Sequence, residues 1–287
     1  MSAPVFESRH WTSRDGLKLH YRDYPGRADR PPLLCLPGLT RNGRDFEDLA
    51  GRLAPAWRVI APDLRGRGES AYARDSATYT PVQYLDDLGA LFEQAQLPPV
   101  IGVGTSLGGL LTMLIAATVP ARLAAAVLND VGPEIAPEGL ERIRGYVGQG
   151  RSFPTWMHAA RALEEGQAGA YPGFTLSDWL AMAKRCMAVA ENGRIHFDYD
   201  MKIAEPMALM PDGPPPDMWP ALGALAGRPL LLLRGELSDV LSAATFERMA
   251  RELPDAQAVT VAGVGHAPTL GEPEAVAALD ALLGRFA

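Results

Sequence analysis

The 287-residue sequence has little cysteine and no excess of basic residues. Cys35 and Cys186 are its only cysteines, too few for a disulfide framework and without the paired spacing of a zinc site. Lys plus Arg number 27 against 34 Asp plus Glu, so the formal net charge of −7 offers no footprint for a phosphate backbone. We therefore expect a protein of a reducing, cytoplasmic setting that does not bind nucleic acid.

A long apolar run is also lacking. The most apolar helical stretch, Leu107 to Val119, falls short of the ~20 residues that a membrane span requires. The segment from Met1 to Trp11 carries Glu7, Arg9 and His10 where a signal peptide would be apolar. We expect neither export nor membrane insertion.

Short apolar runs alternate with segments of helical spacing over the first 131 residues. The runs are Pro32 to Leu36, Trp57 to Ala61, Val100 to Gly104 and Leu123 to Leu128. Unbroken apolar strands are typical of a parallel sheet that helices cover on both faces. The Asp15-Gly16 turn predicts an antiparallel hairpin at one edge. The sequence thus predicts an α/β fold with a mostly parallel, doubly wound sheet.

This alternation stops between residues 132 and 220. The segment is helix-like, with Met, Trp and Tyr among Gly and Pro, and its last part includes the stiff connector Gly213-Pro214-Pro215-Pro216. Strand and helix patterns resume from Pro229 to the C-terminus. We predict a core domain of residues 1–131 and 221–287 and a helical cap of residues 132–220, called the inserted segment below.

The strongest chemical signal is Gly104-Thr105-Ser106-Leu107-Gly108, where an apolar strand passes into a helix. In this context the pattern is typical of a nucleophile elbow, a sharp turn that exposes a serine hydroxyl at a helix N-terminus. A glycine-rich turn with an incidental serine is the structural alternative. A dinucleotide fingerprint is excluded because Leu107 stands where the third glycine would be. Ser106 is the predicted nucleophile.

A serine hydroxyl needs a base within hydrogen-bond reach and a third group that orients this base. Of the five histidines, His266 alone lies in a glycine-flanked loop after a predicted core strand. Asp239 follows the strand from Pro229 to Leu233, so its carboxylate is expected at the carboxyl edge of the sheet, near Ser106. Glu236, in the same turn, is a weaker candidate.

The chain order Ser106, Asp239, His266 resembles that of the α/β-hydrolase family, in which a cap follows the strand after the elbow. The segment from Asp63 to Ser70 is similar to the family's Asp-x-Arg-Gly-x-Gly-x-Ser turn. The resemblance covers nearly the whole chain and points to the capped esterase and lactonase branch. It implies catalysis without metal or organic cofactor. It also makes Asp130 a rival acid, because some relatives place the carboxylate after the preceding strand.

Two backbone donors for an oxyanion follow from the same resemblance. One is the N–H of Leu107, the residue after the nucleophile, and the other is that of Leu39 in the loop Leu36-Pro37-Gly38-Leu39. Relatives usually have His-Gly in this loop, and Pro37 replaces the histidine here.

The predicted reaction is hydrolysis of small or medium carboxylic esters through an acyl-enzyme. Lactone opening, carbon-carbon cleavage of diketones and cofactor-free peracid formation use the same triad and stay open, as does a ligand-binding receptor with a slow hydrolytic site. The partner is accordingly a small-molecule ester or lactone. Five residues are assigned to a substrate pocket, which are Arg41, Trp156, Tyr171, Trp179 and Met182. The alternative for Arg41 is a solvated arginine of the loop. The alternative for the other four is that they pack the inserted segment onto the main sheet.

Overall fold

The structure is a computed structural model that describes residues 5–208 and 216–287. Most of the expected connector, Gly213 to Pro215, lies outside the described residues. The strands are, in chain order, β1 (Glu7–Thr12), β2 (Lys18–Tyr24), β3 (Leu33–Leu36), β4 (Val59–Asp63), β5 (Val100–Thr105), β6 (Leu123–Asn129), β7 (Ser152–Phe153), β8 (Met187–Val189), β9 (Ile195–Phe197), β10 (Leu230–Gly235) and β11 (Gln257–Val261). The helices are α1 (Glu47–Leu53), α2 (Pro81–Gln94), α3 (Leu107–Thr118), α4 (Pro137–Tyr146), α5 (Trp156–Gln167), α6 (Leu176–Cys186), α7 (Ala204–Ala208), α8 (Trp219–Gly223), α9 (Ala243–Glu252) and α10 (Pro273–Leu283).

Eight of the described strands form one sheet in the order β1-β2-β4-β3-β5-β6-β10-β11. The pairs from β4 to β11 are parallel, whereas β1 pairs with β2 and β2 with β4 in antiparallel register. Buried side chains of α2, α3, α8 and α9 pack on one face, and those of α1 and α10 pack on the other. Because helices cover both faces, the central strands carry the unbroken apolar runs seen in the sequence. The predicted doubly wound, mostly parallel sheet is confirmed.

The predicted edge hairpin is present as β1 and β2, which pair from Glu7 with Asp23 to Thr12 with Lys18. Gly16 lies in the turn between them with φ of +88°, a conformation that glycine adopts readily.

The inserted segment contains more than the predicted helices. Between β6 and β10 the described residues form α4 to α8 and also a three-stranded antiparallel sheet in the order β7-β9-β8. The description of this segment as helical was therefore incomplete. These strands are two or three residues long, too short to show an alternating pattern in the sequence.

Backbone hydrogen bonds join the inserted segment to the turn from Asp63 to Ser70. The N–H of Gly68 donates to the carbonyl of Asp198 at 3.1 Å, and the N–H of Asp200 donates to the carbonyl of Gly66 at 2.8 Å. This turn, which begins at the carboxyl end of β4, therefore connects the core sheet to the inserted segment.

Within the ranges 5–208 and 216–287, no helix combines the length and apolar character needed to cross a membrane.

Candidate active site

Ser106 occupies a strained turn between β5 and α3, with φ of +53° and ψ of −118°. The left-handed region is costly for a residue with a side chain, and such strain is found where the surrounding structure enforces it. The flanking glycines permit the turn: a Cβ on Gly104 would lie 2.3 Å from the carbonyl oxygen of Gly108, and one on Gly108 would lie 2.0 Å from that of Leu36. The turn is thus the predicted elbow, with the Ser106 side chain facing a cavity.

Three side chains form a continuous hydrogen-bonded line at the carboxyl edge of the sheet. Ser106 Oγ lies 2.9 Å from Nε2 of His266, and Nδ1 of the same imidazole lies 2.7 Å from Oδ2 of Asp130. The serine follows β5, the aspartate follows β6 and the histidine lies in the loop after β11. The imidazole is 11% exposed and the carboxylate is fully buried. This is the geometry in which a histidine accepts the hydroxyl proton while a carboxylate fixes its orientation.

Asp130 is held in place by the turn after β10. Its φ of +56° directs the backbone away from the strand, and its Oδ1 accepts a hydrogen bond from the N–H of Gly235 at 2.8 Å. Ser238 Oγ donates to Oδ2 at 2.7 Å. Together with His266, these donors satisfy a carboxylate that no solvent reaches.

The expectation that Asp239 contacts His266 is wrong. Asp239 instead accepts two hydrogen bonds from Arg142 of α4, from Nε to Oδ2 at 2.5 Å and from Nη2 to Oδ1 at 2.8 Å. Burial acts to raise the pKa of Asp239, but the hydrogen bonds and charge of Arg142 outweigh it and hold this pKa below its ordinary value. The turn after β10 places Ser238 toward Asp130 and directs Asp239 toward the inserted segment. Glu236 is further out and accepts from the N–H of Gly263 at 2.8 Å.

The two expected oxyanion donors lie near the nucleophile candidate. Leu107 begins α3 directly after Ser106, and Leu39 lines the same cavity as Ser106. No acceptor among the described residues is bonded to the backbone N–H of either leucine. The carbonyl of Leu39 accepts a 2.9 Å hydrogen bond from Nε of the buried Arg67, which fixes the orientation of this loop.

A cavity of about 550 Å³ opens above Ser106 and His266, between the core and the inserted segment. Of the expected pocket residues, Arg41, Tyr171 and Met182 line it. Trp156 and Trp179 do not: both pack in the hydrophobic cluster of the inserted segment, where Trp179 is 1% exposed. These two side chains lie where α5 and α6 pack against each other, so they pack within the inserted segment and neither line the cavity nor join the core sheet.

Tyr171 has a second role, which is to hold the histidine loop. Its hydroxyl donates to the carbonyl of Ala267 at 2.9 Å and accepts from the N–H of Ala267 at 3.0 Å. The N–H of Gly265 donates to the carbonyl of Ala170 at 2.6 Å. Burial raises the pKa of Tyr171 to about 12, so the hydroxyl keeps its proton at neutral pH.

Sequence reasoning missed Arg142, Arg67 and Ser238. Arg142 lies on a helix of the inserted segment whose pattern shows only an ordinary polar face, and nothing local marks its partner 97 residues away. Ser238 lies directly before Asp239 in the same turn, and its hydroxyl beside the expected acid is the signal that marks it. Arg67 belongs to the Asp63 to Ser70 motif, which carried the resemblance but no assigned role.

Comparison with known proteins identifies the family of the chain. Residues 33–279 match the model of the Alpha/beta hydrolase family, and the chain belongs to that family. Its fold is that of a crystal structure of an alpha/beta hydrolase from Novosphingobium aromaticivorans, with a TM-score of 0.94, 61% identity and coverage of 99% of this chain and 100% of that one.

Two relatives of named activity are similar over most of their length. A 3-hydroxybutyrate-oligomer hydrolase of Cupriavidus necator is 30% identical over 269 residues, which cover 91% of this chain and 90% of that protein. A 2-(acetamidomethylene)succinate hydrolase of Mesorhizobium japonicum is 30% identical over 247 residues, which cover 85% and 84% respectively. The chain is thus a member of a hydrolase family, and similarity to hydrolases supports its being an enzyme.

Proposed function

We propose that the protein is a serine hydrolase of carboxylic esters, with Ser106 as nucleophile, His266 as general base and Asp130 as the orienting acid. The observation that carries the proposal is the line of 2.9 Å and 2.7 Å contacts from Ser106 through His266 to Asp130 beneath a cavity. Asp130 replaces Asp239 in this role because it alone of the two meets the imidazole.

The proposed reaction proceeds in two halves. Nε2 of His266 takes the proton of Ser106 Oγ as that oxygen attacks the ester carbonyl, and the N–H groups of Leu39 and Leu107 stabilise the oxyanion. The protonated imidazole then gives its proton to the leaving alkoxide, which departs as an alcohol. A water molecule repeats the sequence on the acyl-enzyme and releases the acid, with Ser106 regenerated. Asp130 stabilises the imidazolium in both halves.

Ester cleavage is favoured among the reactions that this triad serves. Oligomers of 3-hydroxybutyrate are joined by ester bonds, and the relative that acts on them matches 91% of this chain. Hydrolysis of hydroxyacid oligomers is therefore the second candidate, narrower than the first and compatible with it.

Two further expectations belong to this proposal. Residues 132–220 act as a cap over the site, since the cavity is lined by both this segment and the core. The protein works in a reducing compartment, since both of its cysteines are free and buried.

The test compares p-nitrophenyl esters of acetate, butyrate and octanoate as substrates for the wild type and for Ser106→Ala. We expect the variant to lose at least about 10³-fold in kcat/KM, because the nucleophile is gone. Ser177→Ala, an exposed serine on α6, is the matched control and should keep the wild-type rate.

A fluorophosphonate probe adds an independent readout. It should label the wild type and Ser177→Ala at Ser106, as located by peptide mass spectrometry, and leave Ser106→Ala unlabelled. Equal ester hydrolysis by wild type and Ser106→Ala would overturn the proposal.

A further inference from the structure

The wall of the cavity is rich in arginine although the protein is acidic. Four arginines, Arg41, Arg142, Arg151 and Arg185, line it against three aspartates and no lysine, whereas the whole chain has a net charge of −7. Contact with an apolar acyl chain does not compensate a guanidinium group for the loss of its hydration. Their positions and partners therefore indicate what the cavity binds.

Arg41 stands beside the nucleophile. Its Cγ and the Cβ of Ser106 both lie within 4 Å of the point that a Cβ on Gly38 would occupy, so the two side chains flank this glycine. Nε and Nη2 of Arg41 donate to the two carboxylate oxygens of Asp45 at 2.7 and 2.5 Å. Although burial opposes its charging, Asp45 holds the pKa of Arg41 above its ordinary value.

Arg142, on α4 of the inserted segment, makes the same kind of contact with a second aspartate. It uses the same two atoms, Nε and Nη2, on the two oxygens of Asp239. Asp239 lies near enough to His266 for the imidazole to contribute to the lowering of its pKa. One guanidinium thus approaches from the side of the oxyanion loop and the other from the side of the histidine.

Each arginine keeps the outer part of its guanidinium unused. A guanidinium has five N–H donors, and the contact with an aspartate occupies only the edge formed by Nε and Nη2. Nη1 of Arg41 and Nη1 of Arg142 have no acceptor among the residues that the structure describes. Both side chains are partly accessible, 23% and 35% exposed, and both line the cavity. The aspartates fix the orientation, and the remaining N–H groups are available to a ligand.

Arg41, Arg142 and Tyr146 all line the same cavity, and both guanidinium charges act on the Tyr146 hydroxyl. Desolvation raises the pKa of Tyr146, and the charges of Arg142 and Arg41 both oppose this rise, so the two guanidinium groups lie within range of one hydroxyl. Arg151, whose guanidinium lies 5.4 Å from the ring centre of Phe153, has no ion-pair partner within the described ranges and adds a positive charge to the wall. Asp45 and Asp239 balance the charges of the first two arginines, so recognition of an anion depends on the directed N–H groups that these guanidinium groups leave unpaired.

We propose that Arg41 and Arg142 form a carboxylate-recognition subsite, so that the preferred substrates are esters that carry a free carboxylate in addition to the scissile bond. The inference rests on the proposed ester hydrolysis and specifies its substrate class: half-esters of dicarboxylic acids and esters of hydroxyacids. A planar carboxylate matches the unused N–H groups of a guanidinium, whose orientation an aspartate has already fixed.

The first test uses a pair of esters of equal chain length that differ only in the terminal group, a carboxylate in one and a methyl in the other. Mono-p-nitrophenyl glutarate carries a carboxylate, and p-nitrophenyl pentanoate is its neutral counterpart. We expect the wild type to favour the anionic ester by about 10- to 100-fold in kcat/KM, the range for hydrogen bonds to a charged group, and 0.5 M NaCl to reduce this ratio.

The variants Arg41→Met and Arg142→Met should each lower the ratio of anionic to neutral kcat/KM by about tenfold, mostly through the KM of the anionic ester. Damage to the fold would lower both rates and leave the ratio unchanged, so the ratio separates recognition from structure. Arg142→Lys, which keeps the charge, should retain part of the preference. Arg144→Met, an exposed arginine on the same helix, is the matched control and should behave as the wild type.

A binding experiment separates this inference from the proposed chemistry. Calorimetric titration of Ser106→Ala with monomethyl glutarate should give saturable binding that weakens about tenfold in the Ser106→Ala/Arg142→Met double variant, whereas methyl pentanoate should bind more weakly to both. Failure of all hydrolysis with this binding intact would overturn the esterase alone. A wild-type rate ratio at or below one, or equal binding of monomethyl glutarate to both variants, would overturn the carboxylate subsite alone.

Discussion

Ser238 and His266 meet on a single carboxylate oxygen of Asp130: Ser238 Oγ donates to Oδ2 at 2.7 Å, and the same Oδ2 lies 2.7 Å from Nδ1 of His266. The turn after β10 therefore holds the carboxylate of Asp130, and it does not itself contribute a carboxylate in contact with His266. Gly235 adds a backbone hydrogen bond to the other oxygen. The carboxylate is consequently fixed in one orientation, with one lobe of Oδ2 directed to the imidazole.

The first prediction concerns the two aspartates. Asp130→Asn should lower kcat by about 10⁴-fold with p-nitrophenyl butyrate, because an amide no longer selects the imidazole tautomer that accepts the serine proton. Asp239→Asn removes only the partner of Arg142, so its effect on kcat with this neutral ester should be less than about tenfold. Steady-state kinetics of the two isosteric variants checks the ranking, and the reverse order would return the acid role to Asp239.

The second prediction tests the contact of Tyr171 with the histidine loop. Tyr171→Phe removes the two hydrogen bonds to Ala267 and should lower kcat by about 5- to 30-fold, with a smaller change in KM, because His266 is less firmly placed. Tyr72→Phe is the control, since Tyr72 is 48% exposed. An unchanged kcat for Tyr171→Phe would show that His266 is positioned without this hydroxyl.

The third prediction concerns Arg67 as a positioning residue for the oxyanion loop. Its guanidinium donates to the carbonyls of Leu39 and Arg65 and to the hydroxyl of Tyr84, so Arg67→Met frees the backbone that carries the Leu39 N–H. We expect kcat to fall by about tenfold or more, up to the 10²- to 10³-fold that loss of an oxyanion donor costs.

Affinity for a transition-state analogue separates this effect from a general loss of structure. The inhibition constant of an alkyl trifluoromethyl ketone should rise in parallel with the fall in kcat of Arg67→Met. Arg122→Met removes a comparable arginine, which bonds a backbone carbonyl and lies 5.3 Å from the ring centre of Phe92, and serves as control. Unaltered inhibition of Arg67→Met would contradict the assignment.

The fourth prediction concerns stability against pH. The pKa of Asp239 is lower in the folded protein than its ordinary value, so its ion pair with Arg142 stabilises the fold above the unfolded pKa of about 3.9 and loses this contribution as the pH falls through the folded pKa. The difference in Tm between wild type and Asp239→Asn should be constant from pH 8 to pH 5 and shrink below pH 4. Thermal unfolding followed by circular dichroism measures it, and a difference that grows on acidification would refute the ion-pair account.

The sequence was informative where a function depends on a local pattern. Ser106 is marked by glycines whose absent side chains allow the elbow, and His266 by its loop after a core strand, so both could be predicted without a structure. The sheet followed from the same kind of evidence, because full burial on both faces leaves apolar runs.

The choice between Asp130 and Asp239 could not be made in this way. Their strands, β6 and β10, are neighbours in the sheet, so both carboxylates reach the same edge. Which of them meets His266 depends on Arg142, which is distant in sequence from Asp239, and on the direction of one turn. Long-range pairing of this kind leaves no periodic or local trace in a sequence.

Hydrogen bonds join Ala170 and Tyr171 of the inserted segment to the loop that carries His266. If this part of the inserted segment moved away as one piece, the imidazole would lose its alignment with the hydroxyl of Ser106. Access of substrate to the cavity and alignment of the proton pathway would then change together, in a single conformational step.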